Sequence, residues 1–367
     1  MKCLICNSGK FKSIYKSKNS LLSNLQYCKG IKTHKLICEK CGFVRNQNLG
    51  IDHNFYENEY KIYDDDFDPI LFYQGEEKKR SEFIFEWISS FVDSSVDKIL
   101  EIGCGNGNLL ANFNTKDKIG LEPNKNAFNI ALKKCTAINT SFENFKSEAK
   151  YNLILSVCVL EHTKSPDIFL KKCKKLLSSS GKIIIIIPIQ NVKSYDVLFN
   201  DHLFHFSKSQ FERLCHDQGL KIENFQIGYK SIYDQACFVL KNEKNTKEPL
   251  EFFDNKNFNF CKNLKLQTER ILISEKYSQL FLFGNGERSK VLRYLVNFES
   301  IKYIIDDHNY DNKAIFNSDF FISNESKNHD SKLLLLSVNP SLNELLIKKF
   351  QKIPNLTIVN PFDLIFI

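Results

Sequence analysis

Residues 97–108 read Asp-Lys-Ile-Leu-Glu-Ile-Gly-Cys-Gly-Asn-Gly-Asn, an apolar run that ends at Glu101-Ile102 and enters three spaced glycines, Gly103, Gly105 and Gly107. A strand that runs into glycines brings its backbone against a ligand, because residues with a Cβ would hold the ligand away. The dinucleotide fingerprint is G-x-G-x-x-G. Here Gly107 comes one residue early and Asn108 fills the place of the third glycine. The spacing therefore argues against a dinucleotide at this turn.

Outward from the turn, short apolar runs alternate with helical patterns. Strands are expected at 97–102, 118–122, 151–157, 181–188 and 220–229, with helices at 124–135, 166–177 and 208–218. A further helical pattern begins near residue 76 and carries Phe83, Phe85, Trp87, Ile88 and Phe91 on one side. Strands separated by helices of this length predict right-handed βαβ units, hence an α/β fold with a parallel sheet. The second strand ends in Glu122. At about 20 residues beyond a glycine turn, a carboxylate can accept hydrogen bonds from both hydroxyls of a ribose.

The form Glu101-x-Gly103-x-Gly105-x-Gly107 resembles the first motif of class I S-adenosylmethionine-dependent methyltransferases. The resemblance implies a Rossmann-like core, with the glycines against the methionine part of the cofactor and Glu101 helping to anchor it. Residues 151–162, YNLILSVCVLEH, resemble the strand that leads into the active site of that family. By the same resemblance Cys158 lies beside the methionine moiety, and Phe142-Glu143 contact adenine.

Five of the twelve cysteines fall in the first 41 residues. Cys3-x-x-Cys6 and Cys38-x-x-Cys41 have the knuckle spacing of a four-thiolate zinc site, in which each pair turns two sulfurs toward one ion. Cys28 and His34 stand at no such spacing and are expected to be structural. A module this short has little core of its own, so a metal would largely hold it folded.

At 367 residues the chain exceeds one ordinary core. The expected division is a zinc module and connector at 1–62, the methyltransferase core at 63–240, a linker and helix at 241–279, and a second Rossmann-like unit at 280–367. That last unit opens on Gly284-Asn285-Gly286 and includes Asp306, yet a dinucleotide is not expected there. Hydrophobic residues at 43% and charged residues at 26% describe a folded globular chain. The net charge of +8 comes mostly from scattered lysines with no long basic block, which argues against a nucleic-acid or membrane-surface partner. The start of the sequence shows no leader pattern, and the most apolar stretch, 183–189, is far short of the ~20 residues of a membrane span. A cytoplasmic protein with reduced cysteines is expected. Its oligomeric state is not legible.

The substrate side is expected at residues 200–207, Asn-Asp-His-Leu-Phe-His-Phe-Ser. His202 is the candidate general base, with the adjacent Asp201 to orient it and His205 as a second candidate. Taken whole, the order of zinc module, methyltransferase core and small Rossmann-like unit resembles the three-domain nucleotide-sugar C-methyltransferases. The resemblance implies proton abstraction beside a sugar ketone, followed by carbon methylation. The family's Tyr-His-Glu-His-Leu segment falls with its glutamate on Asp201 and its second histidine on His202. Its tyrosine falls on Phe199, which has no hydroxyl, so another tyrosine, for instance from the 56–73 connector, would have to serve. Phe199 also leaves open methylation of oxygen or nitrogen on another metabolite. An RNA methyltransferase is the remaining enzyme class, and a cofactor-binding scaffold the non-catalytic one.

Overall fold

Five consecutive isoleucines, Ile183 to Ile187, read as a strand buried on both faces, since β-branched apolar side chains suit a pleated sheet covered on each side. In the computed structural model they lie in the strand Leu177–Pro188, and none is more than 1% exposed. The structure describes residues 1–48, 55–59, 66–93, 96–190, 195–243, 259–296, 298, 301–308, 311 and 313–363. The chain divides into two units, Met1–Asn257 and Phe258–Ile367.

The first unit is built on a seven-stranded sheet. Its order is Thr136–Ile138, Asp117–Leu121, Lys98–Ile102, Tyr151–Val157, Leu177–Pro188, Ile232–Asn242, Leu220–Tyr229. The first five are parallel, and Ile232–Asn242 runs antiparallel to both its neighbours. Strand order reverses between Lys98–Ile102 and Tyr151–Val157, which opens a crevice at their carboxyl ends. Alternation assigns the side chains. Ile183, Ile185 and Ile187 pack with Leu100, Ile102 and Ile154 on one face, while Ile184 and Ile186 pack with Ile99, Leu153 and Leu155 on the other. Each such side chain contributes roughly 1.5–3 kcal/mol when buried. Helices Pro166–Leu176 and Lys208–Asp217 cover the first face, and Arg80–Ser89 the second.

Several expectations are corrected. Residues Glu76–Lys79 form a strand paired with Ile70–Tyr73, and the helix starts only at Arg80. Gln74 and Gly75 both take positive φ, so the two-residue turn makes a hairpin where the polar run had suggested a helix. The helix expected at 124–135 stops at Ala131 and is followed by the strand Thr136–Ile138. The strand Ile232–Asn242 overlaps the start of the expected linker, of which residues 244–256 lie outside the described residues.

The zinc module expected at 1–62 is part of the first unit, not a body of its own. Its strands Phe11–Ser17, Thr33–Cys38 and Val44–Asn46 are joined by Phe204–His205 from far along the chain into one four-stranded sheet. Cys3, Ile5, Cys38, Cys41 and Phe43 share a core cluster with Leu100 and Phe206. A module too small to bury its own apolar face has borrowed one.

The second unit begins with the helix Asn259–Ser274, which had been expected in the linker. Its five parallel strands follow the order Ile315–Phe316, Ile301–Ile305, Gln279–Phe283, Lys332–Leu336, Leu356–Val359. Gly284 leaves the central strand at φ +96, and Asn285 donates its backbone N–H to Asp306 at 2.8 Å. Among the described residues no helix is long and apolar enough to cross a membrane.

Candidate active site

Gly103, Gly105 and Gly107 all take the left-handed conformation, at φ 69, 52 and 75. A Cβ on Gly103 would stand 2.6 Å from Val159 Cγ2, so the turn closes tightly on the residue that follows Cys158. The turn is tied to the next strand. Gly105 N–H donates to Glu122 Oε2 at 2.8 Å, and Asn124 N–H donates to Oε1 at 2.8 Å. Each carboxylate oxygen keeps a lone pair for a ribose hydroxyl. Asn124 then caps the helix Lys125–Ala131 by accepting from Asn126 and Ala127.

Glu101 is 3% exposed, and its Oε2 has no hydrogen-bond partner. Burial, together with the nearby Glu122 carboxylate, pushes its carboxyl well above the usual range. Burial also raises Glu122, to about 7, against the two backbone N–H donors. An orphaned acid and left-handed glycines at the crevice suit a cofactor that brings its own donors. Both folded-state pKa values lie above the unfolded ones, so the folded state binds these protons more tightly than the unfolded chain. That advantage is lost as pH rises from about 4.5 through 7. The protein without cofactor is therefore expected to melt at progressively lower temperature from pH 5 to pH 8, as read by calorimetry. Glu101→Gln should flatten the decline.

Cys158 follows Tyr151–Val157 at φ 54, and its thiol lies 3.5 Å from Arg80 Nη2. Burial raises this thiol to about 12, so it remains an uncharged lining group. Phe142 packs edge-on to Phe169 with ring centroids 4.8 Å apart, under the Lys172 ammonium. Glu143 is exposed, and its backbone carbonyl accepts from Lys172 at 3.2 Å.

The four expected thiolates converge. Cys3 and Cys41 have their sulfurs 3.5 Å apart, as do Cys6 and Cys38, and all four lie within 4.8 Å of one another. A zinc tetrahedron with bonds of about 2.3 Å spaces its sulfurs at about 3.8 Å. Each knuckle turns on a left-handed residue just after its second cysteine, Asn7 at φ 58 and Gly42 at φ 69. Cys28 and His34 are outside this cluster, and His34 Nε2 lies 2.9 Å from Ser13 Oγ.

The segment 199–206 threads between the cysteine module and the sheet. Lys35, fully buried, donates from Nζ to the carbonyls of Phe199 at 2.7 Å and His202 at 2.6 Å. Burial lowers its pKa to about 7, against the Asp196 and Asp201 carboxylates. Asn46 donates to the Asn200 carbonyl, and its N–H donates to Leu203 O at 2.8 Å. Asp201 does not orient His202 as expected. Its carboxylate accepts from Ser23 N–H at 2.8 Å and from the Ser23 hydroxyl. The carboxylate facing the His202 ring is Asp196, with Oδ2 at 3.9 Å from Nδ1. Asp196 also holds His205, whose Nδ1 is 2.5 Å away. Burial lowers His205 to about 4. Burial opposes charge on His202 too, yet Asp196, Asp201 and Glu161 hold it above its usual value. Asp196 falls well below the carboxylate range: burial would raise it, but the His205 and His202 imidazoles lower it further.

Sequence reasoning overlooked four groups here. Glu161 and His162 form the one-turn helix Leu160–His162, and their ligand atoms lie within 4.8 Å of a His202 ring nitrogen. His162 Nδ1 is 3.0 Å from the Asp201 carbonyl and 3.1 Å from Tyr56 Oη. A carbonyl only accepts, so Nδ1 carries the proton and Nε2 is a bare lone pair. Burial lowers this imidazole to about 4. Among the described residues Tyr56 is the connector tyrosine that reaches the cluster, where Phe199 offers only a ring edge-on to His202 at 5.1 Å. Lys35 and Asp196 complete the omission. The signal was present in one case, since Glu161-His162 close the segment 151–162, which opens on a mostly apolar strand.

Residues 77–224 match the family described as a methyltransferase domain. A stretch of 109 residues is 28% identical to a ubiquinone biosynthesis O-methyltransferase of Bradyrhizobium diazoefficiens, covering 27% of this chain and 42% of that protein. The chain thus spans about two fifths of that relative. Among solved structures, a methyltransferase from Clostridium acetobutylicum is 13% identical over 45% of this chain and 91% of its own, at a TM-score of 0.37. The magnesium protoporphyrin IX methyltransferase of Synechocystis, with bound SAH, is 13% identical over 44% of this chain and 82% of its own, also at 0.37. With the sheet order and glycine turn described above, the family match defines a class I, Rossmann-like methyltransferase domain.

Proposed function

We propose that the chain transfers a methyl group to a small molecule, a nucleotide-linked sugar or glycan precursor, and that it carries structural zinc on Cys3, Cys6, Cys38 and Cys41. The observation that carries this reading is the buried cluster of His202, Glu161 and His162 on the segment that follows the cofactor crevice. It combines with the zinc module, methyltransferase core and second Rossmann-like unit in one chain. S-adenosylmethionine supplies an electrophilic methyl on a cationic sulfur. Gly103, Gly105, Gly107, Glu101 and Cys158 would line its methionine part, Glu122 would hold the ribose, and Phe142 with Glu143 would face the adenine. His202 would take a proton from the substrate, held in place by Phe199 and Asp196. Asp201 and His205 support it, the first by anchoring the loop to Ser23. Tyr56 supplies the hydroxyl that Phe199 lacks.

The protein incubated with S-adenosylmethionine and a panel of keto and hydroxy nucleotide sugars should yield a product heavier by one methylene unit. No such product across the panel would count decisively against the substrate class. His202→Ala should lower turnover by about 10²–10⁴-fold with cofactor affinity retained. A second reading, O-methylation of another metabolite, draws on Phe199 and on the named chemistry of the Bradyrhizobium relative. A heteroatom-linked methyl in the product's NMR spectrum would select it.

A further inference from the structure

We propose that Glu161 is the proton partner of His202: the pair holds one proton before methyl transfer and two after it. The inference rests on the methyl-transfer reading and goes beyond it by assigning a residue to which neither the sequence pattern nor the family match gives a role.

Glu161 is 1% exposed, and among the described residues neither of its carboxylate oxygens has a hydrogen-bond partner. A buried acid left unpaired is costly and is kept only where something makes use of it. Its backbone carbonyl accepts from Leu203 N–H at 2.7 Å, which fixes the short helix Leu160–His162 against the His202 segment. The His202 Nδ1 is likewise without a hydrogen-bond partner. A carboxylate oxygen of Glu161 and a ring nitrogen of each of His162 and His202 approach within 4.8 Å of one another. Among the described residues no hydrogen bond joins the three groups.

The charges around the gap decide how many protons it holds. Among the described residues Asp196, Asp201 and Asp234 are the other acids that act on His202 or Glu161, Lys35 is the cation that acts on His162 and His205, and Arg80 lies by Asp234 and Cys158. Burial keeps His162 and His205 neutral. Acids outnumber cations around the cluster, so one imidazolium or one additional proton is favoured and a second ionised acid is not. The Lys35 ammonium also disfavours a divalent cation on these ligands. Burial raises Glu161 to about 7, with the His202 charge opposing and the two aspartates assisting. With the proton on Glu161, His202 is neutral and its lone pair is free. His202 then removes the proton from a substrate hydroxyl, or from carbon beside a ketone. The electron pair left on that atom would form the new bond to the methyl group as the methyl's bond to the sulfonium sulfur breaks and its electrons stay on sulfur, giving S-adenosylhomocysteine; the surplus proton would leave to solvent after product release.

The test uses the full chain with S-adenosylhomocysteine and needs no substrate. The His202 ring nitrogens are titrated by long-range ¹H–¹⁵N NMR in wild type, Glu161→Gln and Glu161→Asp. Glu161→Gln should lower the His202 midpoint by about one pH unit, a roughly tenfold loss of proton affinity. Glu161→Asp should recover most of it. Once a substrate is in hand, Glu161→Gln should lower kcat by about 10²-fold or more, with the KM for cofactor unchanged. An unchanged midpoint in a folded Glu161→Gln protein overturns the proposal. So does a second divalent ion per chain, counted by Mn²⁺ EPR and lost in Glu161→Gln, since the cluster would then be a metal centre. Should Glu161→Gln fail to fold, an unchanged midpoint in Glu161→Asp decides against the proposal in the same way. Failure to bind S-adenosylhomocysteine at all would instead strike the methyl-transfer reading.

Discussion

Gly103→Ala is expected to weaken cofactor binding by at least about 100-fold, equivalent to roughly 3 kcal/mol. Two costs combine. The residue sits at φ +69, where an L side chain pays about 1–2 kcal/mol. The added Cβ would also meet Val159 Cγ2 at 2.6 Å. Val159 directly follows Cys158, itself left-handed, so the strain passes to both walls of the crevice. Titration calorimetry with S-adenosylhomocysteine measures the effect. Gly286→Ala is the control, because nothing lies within 4 Å of its added Cβ and its φ is −79. Equal losses at both positions would sink the cofactor assignment.

Cys38→Ser is expected to separate cofactor binding from turnover. The proposed ion would lose a ligand that is completely buried. Structural zinc contributes about 10–16 kcal/mol to the folding of small zinc modules. What the module holds would loosen with it: Ser23 on Asp201, Lys35 on the carbonyls of Phe199 and His202, and Asn46 on Asn200 and Leu203. Gln210, which closes the capping box of the helix Lys208–Asp217, also donates to the Cys41 carbonyl at 2.8 Å. None of these contacts reaches the glycine turn. The variant should therefore bind S-adenosylhomocysteine within about threefold of wild type while losing more than about 99% of methyl transfer. Metal analysis should give one zinc per wild-type chain, near zero in Cys38→Ser, and one in Cys28→Ser. A fully active, metal-free Cys38→Ser protein is the result that would refute the assignment.

The cofactor half of the site was legible because it is local. The glycine spacing and Glu122 belong to one βαβ unit, where sequence distance fixes spatial distance. Cysteine pairs are legible for the same reason, since each knuckle is a single turn. The substrate half was not, because its contacts join residues far apart in the chain. Asp201 was assigned to His202 on adjacency, but it lies in a turn that aims its carboxylate at Ser23. Asp196 reaches the same imidazole by way of the short helix Asp196–Leu198. Lys35 looked like one of many surface lysines, and only the sheet shows that it faces inward. The antiparallel strand Ile232–Asn242 was overlooked for a different reason: it follows a turn at Lys230 that carries no glycine of its own, with φ 51 at a lysine.

The strand Phe204–His205, which pairs with Val44–Asn46, constrains any attempt to recombine this protein with others. The boundary expected at residue 62 invites a cut there, as though a tag were being trimmed from an enzyme. Such a cut would leave Phe204 and Phe206 without the Phe43 ring that packs against them, at 5.8 and 5.3 Å, and would bare a hydrogen-bonding edge. Unpaired edges beside aromatic surface recruit other chains. A truncated version should precipitate or swap strands between copies, whatever the state of its glycine turn. Chimaeras that exchange the front module for a homologous one would have to carry residues 199–206 with it, as a single graft in two pieces.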